Sequence, residues 1–254
     1  MLLKPIFDRK LLRINQKRYK SLRTKANFLE LRTATKICDD LSIYNRKYNK
    51  ILELNYNQDY IYNFFKEQNY FNYYIRNSYD LVFDEEYIPF NNNSFDLVIG
   101  NLNLHFINQI PSLLIQLKNI IENEGRVILS FFGEDNLDLL AKAIMKSEDQ
   151  IYNAISPRII PTIDIKTSAQ LFVKAGFKNV IADVENIDWQ FESFYDFLYF
   201  IKINCYGNIM INRSKIFFTK KLLDKTAEIY QKLSKNENNQ TFASFKVITV
   251  IAEK

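Results

Sequence analysis

The sequence predicts an α/β fold: a parallel-dominated sheet with helices on both faces, and helices ahead of it. Three observations carry this. Apolar runs of strand length alternate with segments of helical periodicity from Ile51 to the end. Such alternation is the signature of βα units, whose crossovers bury a parallel sheet. The chain has 254 residues, of which 47% are apolar and 25% charged, enough for one substantial core and short for two. Neither an internal repeat nor a linker long enough to divide it is present.

The elements follow in order. Residues 8–44 are helical in pattern, with Leu11, Leu12, Ile14 and Leu22 among many basic residues, then Phe28, Leu31, Ile37, Cys38 and Leu41 at helical spacing. We expect residues 1–44 to form a helical cap and residues 45–254 the main domain, the two making one compact unit. Residues 51–54 read as a buried strand running into a polar turn. A helix is predicted over 60–66, and short strands over 70–75 and 80–83. Residues 95–100 form a strand with a terminal glycine. Pro111 opens a helix running to 122 that stops near Gly125, the usual asymmetry of helix ends. A strand over 126–132 closes with Gly133, and 136–150 is helical. Thr162 or Thr167 is the expected cap of a helix reaching Ala175, with Gly176 at its end. Residues 179–191 alternate as a strand, 194–203 and 220–233 are helices, and 241–252 is the last strand.

Composition excludes several classes of function. No apolar run approaches the roughly 18 residues of a membrane span, so we expect no membrane insertion. Lys4, Asp8, Arg9 and Lys10 follow a very short apolar start, which does not read as a signal peptide. The expected location is cytoplasmic, and Cys38 and Cys205 are read as reduced thiols. One histidine and two distant cysteines give no metal-binding pattern. The net charge is +5, concentrated between Lys4 and Lys36. A solvated helix accounts for this, and no nucleic acid partner is expected. The 21 Phe and 16 Tyr fit a chain enriched in residues of A+T-rich codons rather than a base-stacking platform. With only five glycines, no two of them close together, a glycine-rich phosphate loop is excluded.

The segment 81–108, LVFDEEYIPFNNNSFDLVIGNLNLHFIN, is the most informative. It resembles the methyltransferase-like family of respiratory complex I assembly factor 5, itself similar to the malonyl carrier-protein methyltransferases of the biotin pathway. The resemblance continues in IFDRKLLRINQKR (6–18), FLELR (28–32), FFGEDNL (131–137), ISPRIIP (155–161) and KAGF (174–177), in the same order along almost the whole chain. It implies the class I S-adenosylmethionine-dependent methyltransferase fold, Rossmann-like, with seven strands, the last antiparallel. The ligand is then expected at the strands' C-terminal ends, as in open α/β sheets generally.

Site residues follow from the resemblance. The cofactor turn corresponds to residues 53–59, where Glu53 matches the acid before the turn and Asn55 and Asn57 stand at both expected glycines. Asn tolerates the left-handed conformation that such a turn needs, but adds bulk where the backbone should be bare. Tyr73, Tyr74, Ile75 and Arg76 occupy the region of the ribose-binding acid, and none of them is a carboxylate. Asp84 matches the acid facing the adenine amino group, with Glu85 beside it. Gly100, Asn101, Asn103 and His105 fall next to cofactor and substrate. His105 reads either as a hydrogen-bonding or acid–base residue of the cleft or as a structural histidine holding a loop. Asp135, Asn136 and Arg158 are candidate substrate contacts, with Glu134 where the family has glycine; a surface arginine is the alternative for Arg158. Asp8 and Arg9 are expected to tie the N-terminal helices to the core.

The resemblance implies a protein substrate, a subunit of respiratory complex I, modified with S-adenosylmethionine, by methylation or by arginine hydroxylation. The substituted turn keeps open a pseudoenzyme acting as an assembly chaperone or binding module. Carboxyl methylation of a carrier protein is a further alternative. Replacing both Asn55 and Asn57 by Gly is expected to tighten S-adenosylmethionine binding measured by calorimetry. Unchanged affinity would show that bulk at this turn is not limiting.

Overall fold

The structure is a computed structural model, and it describes residues 4–23, 28–44, 46–54, 59–69, 71–77, 80–214, 218–234 and 241–254. Two helices, α1 (Arg9–Arg23) and α2 (Phe28–Ile43), precede β1 (Lys50–Glu53), α3 (Tyr60–Glu67), β2 (Tyr73–Arg76) and β3 (Phe95–Gly100). A short 3-10 turn (Leu104–Phe106) leads into α4 (Ile110–Ile120), β4 (Ile121–Phe132), α5 (Asp138–Tyr152) and α6 (Ile165–Lys174). Then follow β5 (Lys178–Phe191), α7 (Phe194–Ile203), α8 (Lys220–Ser234) and β6 (Thr241–Glu253).

The strands form one six-stranded sheet in the order β2-β1-β3-β4-β6-β5. The pairs β1–β2, β1–β3 and β3–β4 are parallel, and β6 runs antiparallel to both β4 and β5. Side chains alternate across the pleat, so each central strand feeds two cores. Leu52, Val98, Val127 and Leu129 pack under α4 and α6, whereas Ile51, Leu97, Ile99 and Ile128 pack under α2 and α3. A third core joins α5, α7 and α8 to the far end of the sheet around Phe132, Phe197 and Phe245. Helix α2 thus lies on the sheet itself, through Ala34, Ile37, Cys38 and Leu41.

Two expectations are corrected. The sheet has six strands among the described residues, because 80–83 is not a strand; only an isolated bridge joins Asn77 to Leu81. Side chains take the backbone groups that a neighbouring strand would have used. Asp80 accepts from the Arg76 backbone N–H and from its guanidinium, and the Asn77 amide accepts from the Phe83 N–H. The cap of α6 is Asp164, not Thr162 or Thr167. Its carboxylate accepts from the Thr167 N–H at 2.8 Å and from the Thr167 hydroxyl at 2.6 Å. A charged acceptor at a helix N-terminus is stronger than a hydroxyl.

The C-terminus of α6 follows its sequence signal. Gly176 takes φ +89°, the Phe177 N–H reaches the Phe172 carbonyl at 3.1 Å and the Gly176 N–H that of Val173 at 2.9 Å. This is the Schellman pattern, and the Phe172 and Phe177 rings pack together with centroids 5.7 Å apart.

Phe245 is fully buried, against Phe28, Phe197 and Phe200. Phe245→Ala is expected to destabilise the fold by about 3–5 kcal/mol, measured by denaturant unfolding. A loss under about 1 kcal/mol would show that this core collapses around the gap.

Candidate functional site

The site expected from the sequence sits where β1, β2 and β3 end. Glu53 closes β1 and is 2% exposed. Its carboxylate accepts from the Tyr74 hydroxyl at 3.0 Å. Burial pushes the Glu53 carboxyl up to about 8, while the Tyr74 hydroxyl and the Arg76 guanidinium pull the other way. Arg76, at the end of β2, faces Asp59 at 3.0 Å and Asp80 at 2.9 Å. An arginine clasped by two acids therefore stands in the region where a ribose carboxylate was sought. Asn55 and Asn57 lie outside the described residues.

Asp84 and Glu85 are brought to the same edge, but both are engaged by α1. Arg9 donates to Asp84 at 2.7 Å, to Glu85, and to the Phe106 carbonyl at 3.1 Å. Arg13 holds the other Asp84 oxygen at 2.5 Å. Arg9, Arg13 and the Glu86 backbone N–H keep the Asp84 carboxyl below the usual range, against the opposing effect of burial, the largest single influence on it. The residue that sequence reasoning missed here is Asn108. Its side-chain oxygen accepts from the N–H groups of Ile6 and Phe7, both at 2.7 Å. The same strap bonds to residues 209–211 through Asp8 N–H to Ile209 O and Ile211 N–H to Ile6 O, each at 2.8 Å. Asp8 and Arg9 tie the N-terminal segment to the core. The available signal was the asparagine ending the LHFIN motif.

After β3 the residues divide in two. Gly100 has no room for a side chain, since a Cβ there would meet the Asn103 Oδ1 at 2.5 Å. Asn101 is fully used by the protein: it accepts from the Thr33 hydroxyl at 2.6 Å and the Ser130 hydroxyl at 3.0 Å, and donates to the Glu30 carbonyl at 3.0 Å. It pins α2 to the sheet. Asn103 and His105, by contrast, are 9% and 6% exposed, and neither side chain has a hydrogen-bond partner among the described residues. The His105 ring lies against Phe132 and Phe106, with centroids at 4.4 and 4.3 Å. Burial pushes its pKa down to about 3, so the imidazole is neutral.

The candidate substrate residues lie farther along the same edge. Asp135 is exposed at φ 62°, near Lys246. Asn136 is buried and accepts from the Lys246 N–H at 3.0 Å. Arg158 is not a surface arginine. Its side chain is 12% exposed and donates to the buried Glu148 at 2.6 Å, which also accepts from the Ser156 N–H and hydroxyl. Glu148 explains the Ser-Pro-Arg segment, and its place in mid-helix gave no sequence signal. Asn136 and Arg158 do share a cavity of about 330 Å³ with Tyr206. A second, of about 230 Å³, lies beside His105.

Lone buried polar groups are rare unless a ligand or water completes them. The end of β3 thus fits a polar ligand: Asn103, whose side chain packs on Gly100, and His105 offer hydrogen bonds unspent among the described residues. Among the described residues, the corner of β1 and β2 offers no free carboxylate pair to a ribose.

No known family model matches the chain. A mouse protein named arginine-hydroxylase NDUFAF5, mitochondrial, is 27% identical over 69% of this chain, and the match covers 51% of its own length. The human protein of that name is 25% identical over 98% of this chain and 77% of its own length. The chain therefore matches about half of the mouse relative. A malonyl-[acyl-carrier protein] O-methyltransferase of Gallionella capsiferriformans is 24% identical over 60% of this chain and 51% of its own. Among solved structures, a SAM-dependent methyltransferase of Archaeoglobus fulgidus superposes with a TM-score of 0.52 at 12% identity, covering 93% of this chain and 99% of that one.

Glu53 gives a pH prediction. Its folded pKa is raised, so its contribution to stability is complete below the ordinary glutamate value and is lost as pH rises through about 8. The scale is about 1.4 kcal/mol per unit of displacement. Denaturant unfolding should show the wild type losing stability from pH 5 to 8.5, and Glu53→Gln losing much less; parallel curves would show that Glu53 is ionised in the fold. The expected resemblance holds: the chain is similar to proteins named arginine-hydroxylase NDUFAF5 and malonyl-[acyl-carrier protein] O-methyltransferase, and it has the class I methyltransferase fold.

Proposed function

We propose that the chain is a methyltransferase-like protein that binds S-adenosylmethionine at the end of β3 and modifies a protein subunit during respiratory complex assembly. The observation that carries this is the pair of buried, unsatisfied side chains, Asn103 and His105, at the place where open α/β sheets bind ligands. The likeness to proteins named arginine-hydroxylase NDUFAF5 supports an arginine side chain as the group modified. Glu53, Asp84 and Asn103 are the residues that would hold the cofactor, which when bound would supply an electrophilic methyl group. The task left to the chain is orientation and exclusion of water. His105 cannot serve as a general base near neutral pH with a pKa of about 3. Its part in the cleft is a neutral hydrogen bond that orients the acceptor, while Phe106 and Phe132 keep water away.

A second reading has its own support. Both oxygens of Asp84 are taken by α1, and Arg76 replaces the ribose acid. This favours a fold kept for binding a partner, with cofactor affinity weakened or lost.

Calorimetric titration with S-adenosylmethionine and S-adenosylhomocysteine separates the two. Micromolar binding is expected. It should be abolished in Asp84→Ala and strengthened several-fold in Arg13→Gln, which frees one Asp84 oxygen. No heat up to millimolar ligand, with the protein folded, would reject the enzyme reading.

A further inference from the structure

Glu30, in the first turn of α2, is a buried carboxylate with its side chain 4% exposed. It belongs to the FLELR segment (28–32). Its backbone carbonyl accepts from the Asn101 side chain at 3.0 Å, which fixes it beside the C-terminal end of β3. Arg23, the last residue of α1, donates from Nη2 to the carboxylate at 2.9 Å, and the Tyr206 hydroxyl donates to the same oxygen at 3.4 Å. The Tyr206 ring meets Phe132 edge-on at 4.9 Å and lies 6.4 Å from His105. A guanidinium therefore already sits at this edge, and it comes from the chain itself.

We propose that Glu30 and Tyr206 receive the guanidinium of an arginine side chain presented by another protein, and that Arg23 occupies this place until that arginine displaces it. This rests on the reading of the β3 edge as the site where an arginine is modified. It adds the carboxylate that holds the acceptor and a competitor built into α1.

Charge selects the ligand. A carboxylate this far out of water needs a cation, whichever chain supplies it. Burial opposes the Arg23 charge, yet Glu30, with Tyr206 and Cys205 beside it, outweighs that and holds the Arg23 pKa above its ordinary value. Arginine suits the place better than lysine, because its flat fork can set two donors on one carboxylate and sheds water more readily.

Fit shows Arg23 to be an incomplete occupant. It bonds through Nη2, and its Nε is buried with no partner among the described residues. An arginine approaching from outside can align two nitrogens with the carboxylate, the stronger arrangement. Attachment allows the exchange. In the last turn of α1, Lys20, Ser21 and Leu22 are exposed, and Arg23 alone reaches inward. The helix is anchored nearer its other end, by Arg9, by Leu12 and by the strap. Withdrawing Arg23 thus opens the Glu30 carboxylate while α1 stays docked.

Calorimetric titration of the intact protein with N-acetylargininamide tests this. A tethered side chain competes at a local concentration in the millimolar range, so the wild type is expected to bind weakly and Arg23→Gln at least about tenfold more tightly. Arg23→Lys keeps a cation on Glu30 but loses the fork, and is expected to fall between the two. Thermal unfolding checks each variant, and Arg23→Lys decides the question where Arg23→Gln is not folded. N-acetylcitrullinamide, the neutral isostere, is expected not to bind. Arg23→Gln/Glu30→Gln removes both charges together and is expected to stay folded and to lose arginine binding. No arginine binding by the folded Arg23 variants, affinity equal to that of the wild type, or binding that survives in the double variant or extends to citrulline overturns the proposal. Titration of the same samples with S-adenosylhomocysteine separates the two readings. Arginine binding without it leaves this proposal standing and removes the methyltransferase reading; the reverse removes this proposal alone.

Discussion

The Arg9 guanidinium is the contact on which the arrangement of the site depends. It is largely buried and reaches Asp84, Glu85 and the Phe106 carbonyl, with Glu86 at 3.8 Å. Burial opposes its charge, but Glu85, Asp84 and Glu86 together outweigh that and hold its pKa above the ordinary value. A charge cluster of this kind is worth little against a hydrophobic substitute, yet removing one member strands the others and costs about 3–5 kcal/mol. Its service is positional. It fixes the start of α1, holds residues 84–86 against it, and leaves Ile6 and Phe7 as walls of the His105 cavity.

Much of the fold was legible in the sequence because its signals were local. The Schellman turn at Gly176, Pro111 at the start of α4 and the alternation of 179–191 each need only a few neighbouring residues. The segment 80–83 misled because its apolar residues had strand composition, while its backbone groups were claimed by Asp80 and Asn77 side chains. Asp164 was overlooked as a cap because two threonines stood close by. Long-range pairings left no trace of this sort. Glu148 under Arg158 and Asn108 under Ile6 are side-chain choices that make sense only once distant segments meet.

The candidate site is uneven in its chemistry. Its β1–β2 corner is crowded with ionisable groups, Glu53, Asp59, Arg76 and Asp80, nearly all of them satisfied internally. Its β3 corner is uncharged and unsatisfied. Sequence motifs pointed to both, because motif matching registers residue type and not whether a polar atom is already spent. Asn101 and Asn103 show the difference two positions apart: the first bonds three partners in the protein, the second none among the described residues.

The strap also sets the order in which the molecule can be completed. Residues 6–8 dock against 209–211 and against Asn108, and α1 packs on α7. Residues 6–8 are synthesised some two hundred residues ahead of 209–211, so their binding surface exists only once those follow. A basic amphipathic helix with Ile14 and Leu22 exposed on it is then held without its partner while the sheet assembles. Because Ile6 and Phe7 line the His105 cavity, a chain in which the Arg9 cluster and the strap are not yet closed lacks those two walls and leaves that side of the site open.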